Sequence, residues 1–137
     1  MRNWPFFWNY WLGLGEMVSH RYERAIIHFT RCLDRNYPIK IHVLVYEQLG
    51  KCYFDINEID KSKFYFLKVL EIREGNEGKL NSEVASRLGF IFYQEGNYHK
   101  AKYYLELAKA NYRKRDYTNI KAVEEYLSIL KNRDYQD

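Results

Sequence analysis

An all-α fold is predicted for this chain: a solenoid of three antiparallel helix hairpins, closed by a C-terminal capping helix. Three observations predict it. Apolar and small residues recur at spacings of three and four along most of the length, the mark of amphipathic helices. Proline occurs only at Pro5 and Pro38. A Leu-Gly pair whose glycine is followed, always at the same step, by a small residue occurs three times, at Gly13 and Ala25, Gly50 and Ser62, and Gly89 and Ala101. The copies are nearly evenly spaced, from Gly13 to Gly50 to Gly89. At 137 residues the prior is one domain, and a hydrophobic content of 47% supplies a core if neighbouring hairpins stack.

The first repeat is expected over about residues 6–39. Its opening is strongly aromatic: Trp4, Trp8 and Trp11 share one helical face, while Phe7, Tyr10 and Leu14 share another. A secretory signal fits poorly, because Pro5 and Asn9 interrupt a short run that lacks a small-residue cleavage site. The run is too short to span a bilayer, and it lacks the basic face of an interfacial helix. It reads as the first helix of the first hairpin, with an apolar excess left for a partner, a second copy of the chain or a preceding segment. Two registers are open. Alignment on Leu12-Gly13 keeps the common step but sets Glu16 where Tyr53 and Phe92 stand; alignment on Trp11, Leu14, Gly15 and Val18 shortens the turn. A turn at His20-Arg21-Tyr22 then leads into a second helix from about Tyr22 to Arg35.

Pro38 separates the first repeat from the second, since a helix interior tolerates proline badly. The second repeat is expected over about residues 43–79, with helices from about Ile39 to Phe54 and from about Glu58 to Arg73. Asn57 is expected to cap the latter. The third repeat is expected over about residues 82–115. Within it, Gly96 suits a left-handed helix end and Asn97 the next N-cap. A last helix over about residues 118–131 carries Ile120, Val123, Tyr126, Leu127 and Leu130 on one stripe. Lys121, Glu124, Glu125 and Lys131 lie on the other, the pattern of a cap. The rival reading is the opening helix of a fourth repeat.

Composition and motifs weigh against several function classes. His20, His28, His42 and His99 form no metal-ligand spacing with each other or with cysteine. Gly78-Lys79 lacks the spacing and the following Ser or Thr of a phosphate-binding loop. Adjacent carboxylates such as Glu124 and Glu125 diverge on a helix. An enzyme is therefore not expected, nor a cofactor or metal. Net charge is +4, and Arg113-Lys114-Arg115 is the compact basic run, with Tyr98, Tyr103, Tyr104, Tyr112 and Tyr117 nearby. That arrangement keeps an RNA-binding repeat in view but disfavours it, because 22 basic residues stand against 18 acidic ones. Cys32 and Cys52 read as buried thiols, in keeping with a cytoplasmic location, with membrane-peripheral and exported forms left open.

The residues that carry the repeat also carry a resemblance. Ala85, Leu88, Gly89 and Phe92, then Ala101, Leu105 and Ala108, resemble the tetratricopeptide repeat. Tyr46, Leu49, Gly50, Tyr53, Ser62, Phe66 and Val69 do so in the second copy, and Leu12, Gly13, Ala25, Phe29 and Cys32 in the first. The usual period of this family is about 34 residues, so these copies are longer by about a helical turn and are similar to the repeats of kinesin light chain. The resemblance covers about Phe6 to Arg115 and implies a right-handed superhelix that acts as a non-catalytic adaptor or scaffold. By the same resemblance the first helices line a concave groove for a peptide or helix of a partner protein. Its lining would be Tyr10, Leu14 and Met17 from the first copy, Leu44, Glu47, Lys51 and Phe54 from the second, and Glu83, Arg87, Phe90 and Tyr93 from the third. A carboxylate clamp for chaperone tails is disfavoured, because only Arg87 matches among Tyr10, Leu14, Gln48, Glu83 and Arg87. The alternative function is self-assembly, with a homo-oligomer formed through residues 4–14.

Overall fold

The structure, a computed structural model, describes residues 4–33, 37–73, 80–112 and 117–133. Among these residues every regular element is a helix: α1 (Trp4–Val18), α2 (Tyr22–Arg31), α3 (Ile39–Asp55), α4 (Ile59–Ile72), α5 (Ser82–Gln94), α6 (Tyr98–Ala110) and α7 (Tyr117–Asn132). Helices α1 with α2, α3 with α4 and α5 with α6 form the three antiparallel hairpins. The chain divides into two compact units, residues 1–72 and 73–137. No helix among the described residues is long and apolar enough to cross a membrane. Arg113-Lys114-Arg115 and Gly78-Lys79 lie outside the described residues.

All three hairpins turn by one backbone device. Counted from the glycine of the Leu-Gly pair, the seventh residue has positive φ in each copy: His20 at 60°, Asn57 at 65° and Gly96 at 80°. Its amide donates three residues back, to Met17, Phe54 and Tyr93. The next amide donates five back, to Glu16, Tyr53 and Phe92, at 2.8–2.9 Å. This is the Schellman closure, which satisfies carbonyls that a helix end would otherwise leave open. Glycine adopts it without strain and asparagine tolerates it, whereas histidine meets a steric cost of about 1–2 kcal/mol. Asn57 is thus the left-handed residue and not the cap of α4, a correction that follows from the shared turn. Asn97 does cap, its Oδ1 accepting from the Lys100 amide at 3.3 Å.

Packing inside each hairpin is set by the same glycine. A Cβ placed on Gly13 would lie 2.6 Å from Phe29, and one on Gly89 would lie 2.6 Å from Leu105. Phe66 sits on Gly50 in the same way. The three intruding side chains stand at one fixed step beyond their glycines, on the second helix of each hairpin, and all are fully buried. Ala25, Ser62 and Ala101, one turn earlier on those second helices, are fully buried as well. Ser62 adds a hydrogen bond, its Oγ donating to the Gly50 carbonyl at 2.7 Å. Gly15 has nothing within 4 Å of a built Cβ, so the Leu12-Gly13 register is the one the first hairpin uses.

In the first unit, hairpins stack through Ala25, Phe29 and Cys32 against Val45, Leu49 and Cys52. Fully burying a side chain such as Phe29 or Leu49 stabilises by about 1.5–3 kcal/mol. Helix α2 ends at Arg31, short of the expected Arg35, where the Cys32 and Leu33 amides tighten to bonds three residues back. Pro38 stands at the N-cap of α3, its carbonyl accepting from Ile41 and His42. In the second unit α7 packs on α6 and touches α5. Val123 and Leu130 are fully buried there, while Glu124, Ser128 and Lys131 are exposed.

Candidate interaction surface

The first helices carry the expected groove residues because their outer positions are not used by the glycine contact within each hairpin. In the first unit the structure brings Tyr10 and α3 together. Gln48 Nε2 donates to the Tyr10 hydroxyl at 3.2 Å, tying the first helices of two successive hairpins side by side. Tyr10 also meets Phe29 edge-on, with ring centroids 5.7 Å apart. Burial raises the Tyr10 pKa against the lowering effect of the Gln48 bond, and the nearby Glu47 carboxylate adds to the rise. Leu14 and Met17 pack against the Phe29–Leu49 core and are half-buried. Leu44 is exposed and Phe54 half-buried. Glu47 and Lys51 are only 6% and 8% exposed, so their long side chains present little of themselves to a ligand.

In the second unit, Phe90 and Tyr93 receive a ring from another helix. Tyr126 of α7 lies with its centroid 4.9 Å from that of Phe90 and 5.0 Å from that of Tyr93. Arg87 is paired within its own helix: its Nη1 lies 3.6 Å from Glu83 Oε2. The pairing is local, one helical turn apart, and both groups are partly solvated, so it contributes little to stability.

A second feature, which the sequence reading missed, recurs at matching positions of the second and third hairpins. Tyr53 stacks parallel on Tyr65 at 5.7 Å, with Phe64 edge-on to Tyr65 and the Lys61 ammonium 5.5 Å from the Tyr53 ring. Phe92 stacks on Tyr104 at 5.5 Å, with Tyr103 edge-on and Lys100 at 5.3 Å from the Phe92 ring. Aromatic and cation–π contacts of this kind add roughly 0.5–1.5 kcal/mol each beyond area burial. The signal was present in the sequence as four matching positions per repeat. The first copy breaks it with Glu16, Arg24, Ile27 and His28 at those positions, and there Arg21 Nε donates to the Glu16 carboxylate instead.

Chemistry at the cysteines is quiet. Cys32 and Cys52 are buried thiols, and burial pushes the Cys32 thiol up to about 11. At neutral pH such a group is protonated and a poor nucleophile. No cluster of three His, Cys, Asp or Glu side chains among the described residues is placed to hold a metal ion.

Hairpins of one register, the first two stacked through a shared core, define a helical-repeat protein. The tetratricopeptide repeat family model matches residues 43–76. The second hairpin is thus similar to that repeat, and the glycine contacts of the first and third hairpins support extending the likeness to them. A comparison with curated proteins gives no match.

Proposed function

We propose that this chain is a non-catalytic adaptor whose first helices hold a peptide or helix of a partner protein. The observation that carries the reading is Tyr126. In the second unit a helix-borne aromatic is seated against Phe90 and Tyr93, so first-helix side chains of this chain accept a helix through aromatic anchors. Such anchors dominate the energetics of protein interfaces. The tetratricopeptide match supports a protein partner in general. The lengthened repeat, similar to that of kinesin light chain, and a cytoplasmic setting complete the proposal. In the first unit the surface a partner meets is centred on Leu44, with the bonded Tyr10–Gln48 pair and Phe54 on the same two first helices and Glu47 and Lys51 contributing only their edges.

A photo-crosslinking side chain at Leu44 tests this in lysate from the source cells. It should give one discrete adduct with another protein, absent when the same group replaces exposed Lys109 on α6. Equal adducts at both positions, or none at Leu44, would overturn the reading.

A further inference from the structure

The strongest unexplained surface is the outer face of α1. Phe7, Trp8, Trp11, Leu12 and Val18 are 47%, 58%, 69%, 37% and 81% exposed. At about 100° per residue these five lie within roughly 140° of the helix circumference. An aromatic side chain carries roughly 150–250 Å², so the five expose on the order of 600 Å² of apolar surface. That is at the upper limit of the largest patch on a typical monomer, about 300–600 Å².

The rest of the chain shows what this face is not. Relative to the Leu-Gly glycine, Trp8 stands where α3 has Val45 and α5 has Val84, both fully buried. In the first unit Val45 is part of the contact with the preceding hairpin. An indole at that position is too bulky for the same close approach, so the face is not shaped for another hairpin of the internal type. Docking on the C-terminal helix of a second molecule is no better matched. The outer side of α7 carries Lys121, Glu124, Glu125 and Lys131, charges that an apolar partner would desolvate without compensation. A lipid surface is disfavoured too, because Glu16 is the only charged residue of α1 and such contacts rely on basic residues.

We infer that α1 is a two-fold interface between two copies of this chain. In a two-fold contact each patch meets its own copy, so a charge near the axis would face its like and one elsewhere would be buried against apolar residues. None of the stripe's five residues is charged: Glu16 lies one turn from Leu12, about 40° beyond the edge of the stripe, and there Arg21 binds it. Complete covering of both stripes would remove about 1,200 Å² from these five residues, at the lower bound of stable specific interfaces, about 1,200–2,000 Å². The interface and the partner surface proposed above are read by different measurements, mass in solution and crosslinking at Leu44, so either can fail without the other.

Sedimentation equilibrium and light scattering of the full chain test the inference. The expected mass is twice 16.8 kDa. Trp11→Glu and Trp11→Lys should each dimerise about tenfold or more weakly, since each buries a charge against its own copy. Both should keep the helical circular dichroism of the parent. Mixing the two in equal amounts should restore the dimer, a rescue that only a contact of position 11 with its own copy produces. If either variant loses helicity, Val18→Glu and Val18→Lys serve as the pair. A monomer at about 100 µM, far above the Kd of specific complexes, would overturn the inference. So would a dimer indifferent to both pairs, or a mass that climbs past the dimer with concentration. Monomeric protein retained by vesicles of phosphatidylcholine and phosphatidylserine, and released by Trp11→Glu, would assign the face to a membrane surface instead.

Discussion

Gly13 and Gly15 are near neighbours on one helix and have opposite roles. Gly13 is where Phe29 rests, so its lack of a side chain is a packing requirement; Gly15 faces open space. Gly13→Ala should therefore destabilise the fold by about 1–3 kcal/mol through overpacking. Gly15→Ala should stabilise it by about 1 kcal/mol through helix propensity. Urea unfolding of the two variants checks the pair, and equal effects would mean that the first hairpin uses the other register. Sequence alone left both registers open because each offers a plausible apolar pattern along one helix. The choice lies with Phe29, on the far side of the turn, and helical periodicity carries no information about that contact. The same limit applies at Asn57. Its residue type suits either a cap or a left-handed turn, and only the bond from the Glu58 amide to the Tyr53 carbonyl decides between them.

At the scale of elements, the helices themselves were legible, because each has a buried stripe and a recognisable break. Expected and observed boundaries agree within one residue for α3, α4 and α7, while α2 stops early, at Arg31 instead of Arg35. Less legible was how α7 is held. Its stripe announced an amphipathic helix, but the seat of Tyr126 between Phe90 and Tyr93 depends on the docking of α7 on α5. Tyr126→Ala should cost about 2 kcal/mol, the lost ring contacts plus part of the burial. Hydrogen exchange should show the loss concentrated in α7, and unchanged protection there would mean that Val123 and Leu130 hold the helix by themselves. On the outer side of α7, Glu124, Ser128 and Lys131 are exposed polar residues, and Ile129 is 45% exposed beside them.

At the scale of the whole molecule, the described residues include the weak acids Tyr10, Cys32 and Tyr65 with raised pKa values, and burial is the leading cause in each. All three belong to the first unit. A folded-state pKa above the unfolded value means that the folded form binds the extra proton. The stability this contributes is complete below the unfolded values, 9.0 for the thiol and 10.0 for the tyrosines. It is lost as pH rises through the folded values, about 11 for Cys32. The urea midpoint should therefore fall between pH 8 and pH 10.5, with a smaller fall in Cys32→Ala; a rising midpoint would contradict the burial of these groups. The candidate site was legible only in outline. Leu44 is exposed as a ligand-contact residue would be, whereas Lys51 is buried and Arg87 is engaged by Glu83.

By itself the sequence determined the helical class, the number of hairpins and the positions of their turns, because these follow from local periodicity and from a glycine repeated at fixed spacing. Tertiary structure alone decided which glycine of α1 is in contact, which side chains of the first helices stay accessible, and that the aromatic stripe of α1 is left outside. Those outcomes depend on which surfaces meet across distant segments. Burial is a property of the assembled packing, and two residues of the same type at equivalent helical positions can end on opposite sides of it.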